Sequence, residues 1–182
     1  MREVELEWFG LKVQGAVLTK RGSAFQDFFA DIMEAAHPRD FERIRPYGNR
    51  GDLKCDGLLR SSGTVFQVYA PRQVKQALLL KKIRADFAGA KMHWKDVMRS
   101  WVFVHNDSDG LPGDVVLAMD ALQKENDGLI VETWACDRLQ SICLALPREK
   151  LILMFGRPPA VPSRALHGGS SRNVVVIFQR AA

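Results

Sequence analysis

The stretch GDLKCDGLLRSSGTVFQVYAP, residues 51–71, constrains the fold more than any other part of the chain. Two runs with strand-forming residues, LKCDGLLR and TVFQVYA, flank the tripeptide SSG. Serine and glycine in so short a connection predict a tight β-hairpin. A hairpin commits the chain to a sheet with at least one antiparallel pair. The second run reads as buried, yet it carries Gln67 and Tyr69, while Asp52 and Asp56 lie four residues apart at the start of the first. Polar groups in such a strand need a hydrogen-bonding reason or a chemical one.

The rest of the sequence supplies helices around that hairpin. In MREVELEWFG, charged and apolar residues alternate, which predicts a half-buried strand over residues 2–8. SAFQDFFADIMEAAHP predicts a helix, with Ser23 as N-cap, Gln26 as its capping-box partner and Pro38 as the stop. DFERIRP predicts a short strand. After the hairpin, Pro71 can open a helix over RQVKQALLLKKIRADF that ends near Gly89. WVFVH and GLIVETWA predict strands, with a helix between them from Asp114 or its neighbour through Glu125. DRLQSICLAL and REKLILMF predict two short helices separated by Pro147. The order is that of an α/β domain whose hairpin gives the sheet a mixed character. The expected division is an N-terminal strand or extension over 1–22, the main domain over 23–156, and a linker with a C-terminal strand over 157–182. That last strand, VVVIF at 174–178, would pair with an edge of the main sheet or with another chain.

Charge is distributed unevenly. Residues 1–71 carry ten basic and ten acidic side chains, whereas residues 72–95 carry seven basic ones and a single acid, Asp86. Residues 96–156 are acidic, five against ten, and residues 157–182 add four arginines and no acid. A basic segment directly after the hairpin fits a phosphate-backbone ligand, and equally a solvated basic helix. No apolar run approaches the roughly 20 residues of a membrane span, and the N-terminus does not read as a signal peptide, so the expectation is a cytoplasmic protein. Cys55, Cys136 and Cys143 have no zinc spacing and are expected to be reduced thiols. The four histidines are scattered, the loop HNDSDG lacks the ligands of a calcium loop, and neither a nucleophile elbow nor a Walker loop occurs.

An acid on one strand and an oxygen ligand on its neighbour can meet across a sheet and hold a divalent cation with positions left for water and phosphate. A cation nearby can stabilise the charge that develops on a phosphoryl group. Each residue also has a plain structural reading. Gln26 serves as a capping partner, Asp52 and Asp56 shape turns, Gln67 is a hydrogen-bonded strand residue, and Tyr69 is core with its hydroxyl at the edge.

GDLKCDG followed by FQVY resembles the Mrr-type variant of the PD-(D/E)xK restriction-endonuclease-like superfamily, whose core order is helix, three strands, helix, strand. More narrowly, RGDLKCDGLL with GTVFQVYAP, WVFVHND, IVETWA and LILMFGRPP is similar to the nuclease-like N-terminal modules of bacterial antiphage ABC-three-component systems. The resemblance covers about residues 23–159. It implies a restriction-endonuclease-like αβββαβ core and a metal-dependent DNA endonuclease in bacterial defence against foreign DNA, using Mg²⁺ or Mn²⁺. The alternative is a catalytically inactive module of the same fold that binds DNA or a partner protein.

On this match Asp56 is the first acidic ligand and Gln67 occupies the second ligand position, with Asp52 and Gln26 as further candidates for the metal. Tyr69 stands where the family has its catalytic lysine, and Lys75 or Lys54 is expected to replace that lysine in space. Arg50, Arg72, Lys75, Lys81, Lys82 and Arg84 are the candidate nucleic-acid contacts. The expected partners are DNA, a separate sensor or ATPase polypeptide and a second copy of the chain, with no membrane.

Overall fold

The computed structural model describes residues 1, 3–45, 53–72 and 75–160. The elements run α1 (Glu3–Thr19), α2 (Ser23–Ala36), β1 (Phe41–Arg43), β2 (Gly57–Leu59), β3 (Thr64–Tyr69), α3 (Gln76–His93), β4 (Ser100–His105), α4 (Gly113–Glu125), β5 (Ile130–Trp134), α5 (Cys136–Leu144) and α6 (Arg148–Phe155). The five strands form one mixed sheet in the order β1-β2-β3-β4-β5. β1, β2 and β3 pair antiparallel, whereas β3 with β4 and β4 with β5 pair parallel. From α2 to β4 the chain follows the helix, three strands, helix, strand order expected for the core.

Helices cover both faces of the sheet. Phe66, Val68, Val102 and Val104 point to one layer, where they meet Phe9, Val13 and Val17 of α1, Phe25, Phe29 and Ile32 of α2, and Leu139 of α5. Val65, Trp101 and Phe103 point to the other, against Leu79, Ile83 and Phe87 of α3 and Val115 of α4. The alternation follows from the two-residue period of a strand. β4 is buried along its whole length, as a central parallel strand covered on both faces should be.

The N-terminal segment departs from expectation: residues 3–19 are helical, not a strand. The buried positions are Glu5, Phe9, Val13 and Val17, an interval of four that lines one face of a helix. Of the three apolar members of the apparent alternation, Val4 and Leu6 are exposed and Trp8 is only partly buried. Burying Phe9, Val13 and Val17 contributes about 1.5–3 kcal/mol each, and this outweighs a short period-two pattern. Glu5 is buried because Arg148 of α6 donates to it at 2.9 Å. α1 is therefore part of the core and not an extension.

Three further boundaries differ. The first hairpin strand starts only at Gly57, because Leu53 and Lys54 turn with φ of 53° and 60°. α3 starts at Gln76 and not at Pro71. It also runs through Gly89 to His93, since that glycine marks a close approach and not a helix end: a Cβ there would meet Lys54 Cγ at 2.6 Å. The predicted hairpin forms, with a connection of residues 60–63, one longer than the expected SSG, and Gly63 at φ 63°. No helix among the described residues is long and apolar enough to cross a membrane. Strand 174–178 lies outside the described residues.

Candidate functional site

The site begins where two strands part. Asp56 extends the β2–β3 ladder by one residue, its N–H donating to Phe66 O at 2.8 Å, while its own carbonyl accepts from Ile44 N at 3.1 Å. Beyond that point β3 continues without β2. The next N–H facing the gap, that of Val68, donates to Asp56 Oδ2 at 2.6 Å, so the carboxylate takes over from a ladder carbonyl. This fixes the Asp56 side chain by the geometry of the sheet itself.

Two amides converge on the same carboxylate. Gln67 Nε2 donates to Oδ2 at 2.9 Å, and Gln26 Nε2 of α2 donates to Oδ1 at 3.0 Å. The N-cap of α2 is Gly22, with no side-chain cap bond, so the expected capping box of Ser23 and Gln26 does not form. Gln26 instead reaches across to the hairpin, to within 3.5 Å of Val68 O as well as to Asp56. Gln67 is 3% exposed, and its Oε1 is buried without a hydrogen-bond partner among the described residues. Such an orphan costs about 1–3 kcal/mol.

Tyr69 lies two residues beyond Gln67 on the same strand face. Its ring centroid is 6.0 Å from that of Phe103, and the ammonium of Lys82 stands 5.2 Å from it. Lys82 and Gln26 line one cavity of about 220 Å³, together with Gly22, Tyr69 and Pro71. The cation beside Tyr69 is thus Lys82, which the sequence placed among phosphate contacts. Lys75 is the exposed N-cap residue of α3, not a residue one turn into it, and no described contact brings it to Asp56 or Tyr69.

Lys82 is fixed by a buried acid. Its Nζ lies 2.5 Å from Asp86 Oδ2, one turn along α3, and Lys54 Nζ lies 3.2 Å from Asp86 Oδ1. Asp86 is 2% exposed, and the two lysine side chains are 32% and 48% exposed. Two ammonium groups share one carboxylate. Lys54 reaches Asp86 through three local features. Trp94 Nε1 donates to Leu53 O at 3.1 Å, Leu53 and Lys54 adopt positive φ, and the bare Cα of Gly89 lets the lysine stem pass over α3. Left-handed backbone at two successive non-glycine residues is a local strain, of a kind that gathers at functional sites.

Sequence reasoning missed Asp86 as part of the site, although signals were present. It is the one acid of the basic segment, it follows Lys82 by four, and it shares the buried stripe of Leu79, Ile83, Phe87 and Ala90. Of the other candidates, Arg72, Lys81 and Arg84 are exposed near or on α3, and Asp52 and Arg50 lie outside the described residues. Among the described residues no group of three His, Cys, Asp or Glu is placed to hold a metal ion. No protein-family model matches the chain, and no curated protein matches it.

The orphaned Gln67 oxygen bears on whether this donor set suits Mg²⁺ or Mn²⁺. Turning the Gln67 amide by half a turn would bring Oε1 to face Asp56 Oδ2. Two oxygens so placed repel unless they share a cation or a proton. One carboxylate and one amide oxygen are hard ligands of the kind these ions take, and Mg²⁺ commonly binds through one or two carboxylates with phosphate and water completing its shell. The residues fit the group, with less charge than a three-carboxylate site would offer.

Proposed function

We propose that this protein is a metal-dependent phosphodiester hydrolase acting on DNA, with Asp56 and the Gln67 carbonyl as its protein ligands. The observation that carries the reading is the convergence of Asp56, Gln67 and Gln26 at the parting of β2 and β3, beside a cavity that Gln26 lines together with Lys82. A bound Mg²⁺ or Mn²⁺ would supply Lewis-acid polarisation of the phosphoryl oxygen and an acidified water. The chain supplies the rest. Val68 N–H orients the Asp56 carboxylate, and Gln26 holds its second oxygen. Lys82, fixed over Tyr69 by Asp86, presents an ammonium toward charge developing on the phosphoryl oxygens, the role a strand lysine would otherwise fill. Arg72, Lys75, Lys81 and Arg84 are exposed cations from which a phosphate backbone is followed. A role in bacterial defence, in the cytoplasm and alongside a separate sensor or ATPase polypeptide, rests on the resemblance alone.

One observation favours a second reading, a module of the same fold that binds DNA or a protein without cleavage. Among the described residues Asp56 is the sole carboxylate at the parting of the strands, and three N–H groups already donate to it. Calorimetric titration with Mn²⁺ separates the two. The hydrolase reading expects binding by the wild type at least tenfold tighter than by Asp56→Ala. Equal binding, or none, together with intact DNA binding, supports the non-cleaving module. DNA binding of either kind should weaken steeply as salt rises.

A further inference from the structure

We propose that α1 is the seam of a parallel homodimer. Its core-facing side is accounted for by Phe9, Val13 and Val17, yet the opposite side is also apolar. Val4, Trp8, Leu11, Gly15 and Leu18 follow one another at intervals of four, three, four and three residues, the spacing of a seam between paired helices. Val4 is 54% exposed, Leu11 69% and Leu18 37%. Trp8 is partly buried, and a Cβ placed on Gly15 would meet nothing within 4 Å. A helix apolar on two opposite sides covers the second one against another body.

The charges beside the stripe indicate that the other body is a second copy of this chain. Glu7 immediately precedes Trp8 on one flank, and Lys12 immediately follows Leu11 on the other. When two identical helices pair in parallel, the residue preceding one seam position faces the residue five positions further on in the partner helix. Glu7 of each copy then faces Lys12 of the other, and the two-fold axis makes the contact twice. An antiparallel pair sets the flank of Glu3 and Glu7 against its own copy and loses that match. Lys12 Nζ already lies 5.2 Å from the centre of its own Trp8 ring, so it is held at the edge of the stripe. The helix is short, about 25 Å long at 1.5 Å per residue. The expected dimer is reversible, with a dissociation constant on the order of micromolar.

Sedimentation velocity of the full chain over a concentration series tests this. The wild type should shift from monomer to dimer as concentration rises, and Leu11→Glu should stay monomeric while keeping its circular-dichroism spectrum and melting transition. Glu7→Lys alone and Lys12→Glu alone should each weaken association by about tenfold through like-charge contact. The double variant Glu7→Lys with Lys12→Glu should return it to within about threefold of wild type. A wild type that is monomeric at about 500 μM, well above any specific weak interface, overturns the proposal. So does a Leu11→Glu variant that dimerises like wild type, or a double variant that fails to recover.

Discussion

Lys82 holds its ammonium 5.2 Å from the centre of the Tyr69 ring. A positive charge from the helix that follows the strand thus stands over Tyr69. Lys82→Ala should slow metal-dependent cleavage by about 10²–10³-fold, the usual cost of removing one charge stabiliser. Lys75→Ala should change it by less than about threefold, since an exposed phosphate contact is one of several. Single-turnover nicking of plasmid DNA at saturating enzyme measures both. Equal effects of the two substitutions would remove Lys82 from the assigned role.

The buried Asp86 makes Lys82 dependent on its surroundings. In Asp86→Asn both ammonium groups lose their carboxylate, but each is partly exposed and can hydrate. The expected loss of stability is about 1–2 kcal/mol, below the figure for a fully buried pair. Urea unfolding reads that loss. Gly89→Ala is more informative. Alanine favours the helix by about 1 kcal/mol, while its Cβ displaces the Lys54 stem from Asp86. Stability should therefore stay within about 1 kcal/mol of wild type while cleavage falls. Unchanged cleavage in Gly89→Ala would show that the Lys54 contact does not position Lys82.

Gln67→Glu introduces a second carboxylate at a position only 3% exposed. Without metal, the new charge faces Asp56 in a buried setting and should destabilise the protein by on the order of 3 kcal/mol. Mn²⁺ at a hundred times its dissociation constant should return about 2.7 kcal/mol. Thermal melts with and without Mn²⁺ check the pair of effects. A variant destabilised equally in both conditions would mean that these oxygens do not share an ion.

His105, at the end of β4, is buried, and burial lowers its pKa below the usual histidine value. The unfolded chain then takes up a proton that the folded one resists. Stability should fall as pH drops from about 7 toward 5, through the unfolded histidine value. His105→Gln should flatten that window. Asp40 and Glu42 have carboxyls held below their usual range, by hydrogen bonds from Ser61 and from Arg60 respectively. Their contribution is lost at lower pH, below about 4.5, so the two windows separate. Urea midpoints across pH, wild type against His105→Gln, give the comparison.

Much of this arrangement was legible in the sequence because it is local. The hairpin around Ser61–Gly63 and the placement of Asp56 against Gln67 follow from turn chemistry and strand pairing over a few residues. What was not legible depended on contacts distant in the chain. Gln26 looked like the partner of Ser23, three residues away, and is bonded instead to Asp56, thirty residues on. A long side chain in a first helical turn has both choices, and only the packing of α2 on the sheet decides. α1 imitated a strand because its charged residues alternate over one turn and a half, while the four-residue interval that makes it a helix extends to Val17. Lys82 was hidden by the boundary of α3. With the helix opening at Pro71, Lys75 falls near the site, but opening it at Gln76 moves the matching position a turn and more along.

Metal-dependent hydrolysis at Asp56 is tested most directly by nicking of supercoiled plasmid DNA in Mn²⁺ or Mg²⁺ by wild type and Asp56→Ala, side by side, with a chelated control. The wild type should cleave only when the metal is present, and Asp56→Ala should lose at least about 10²-fold with DNA binding retained. A wild type that binds DNA but cleaves under neither metal, or an Asp56→Ala variant that cleaves as well as wild type, would contradict it.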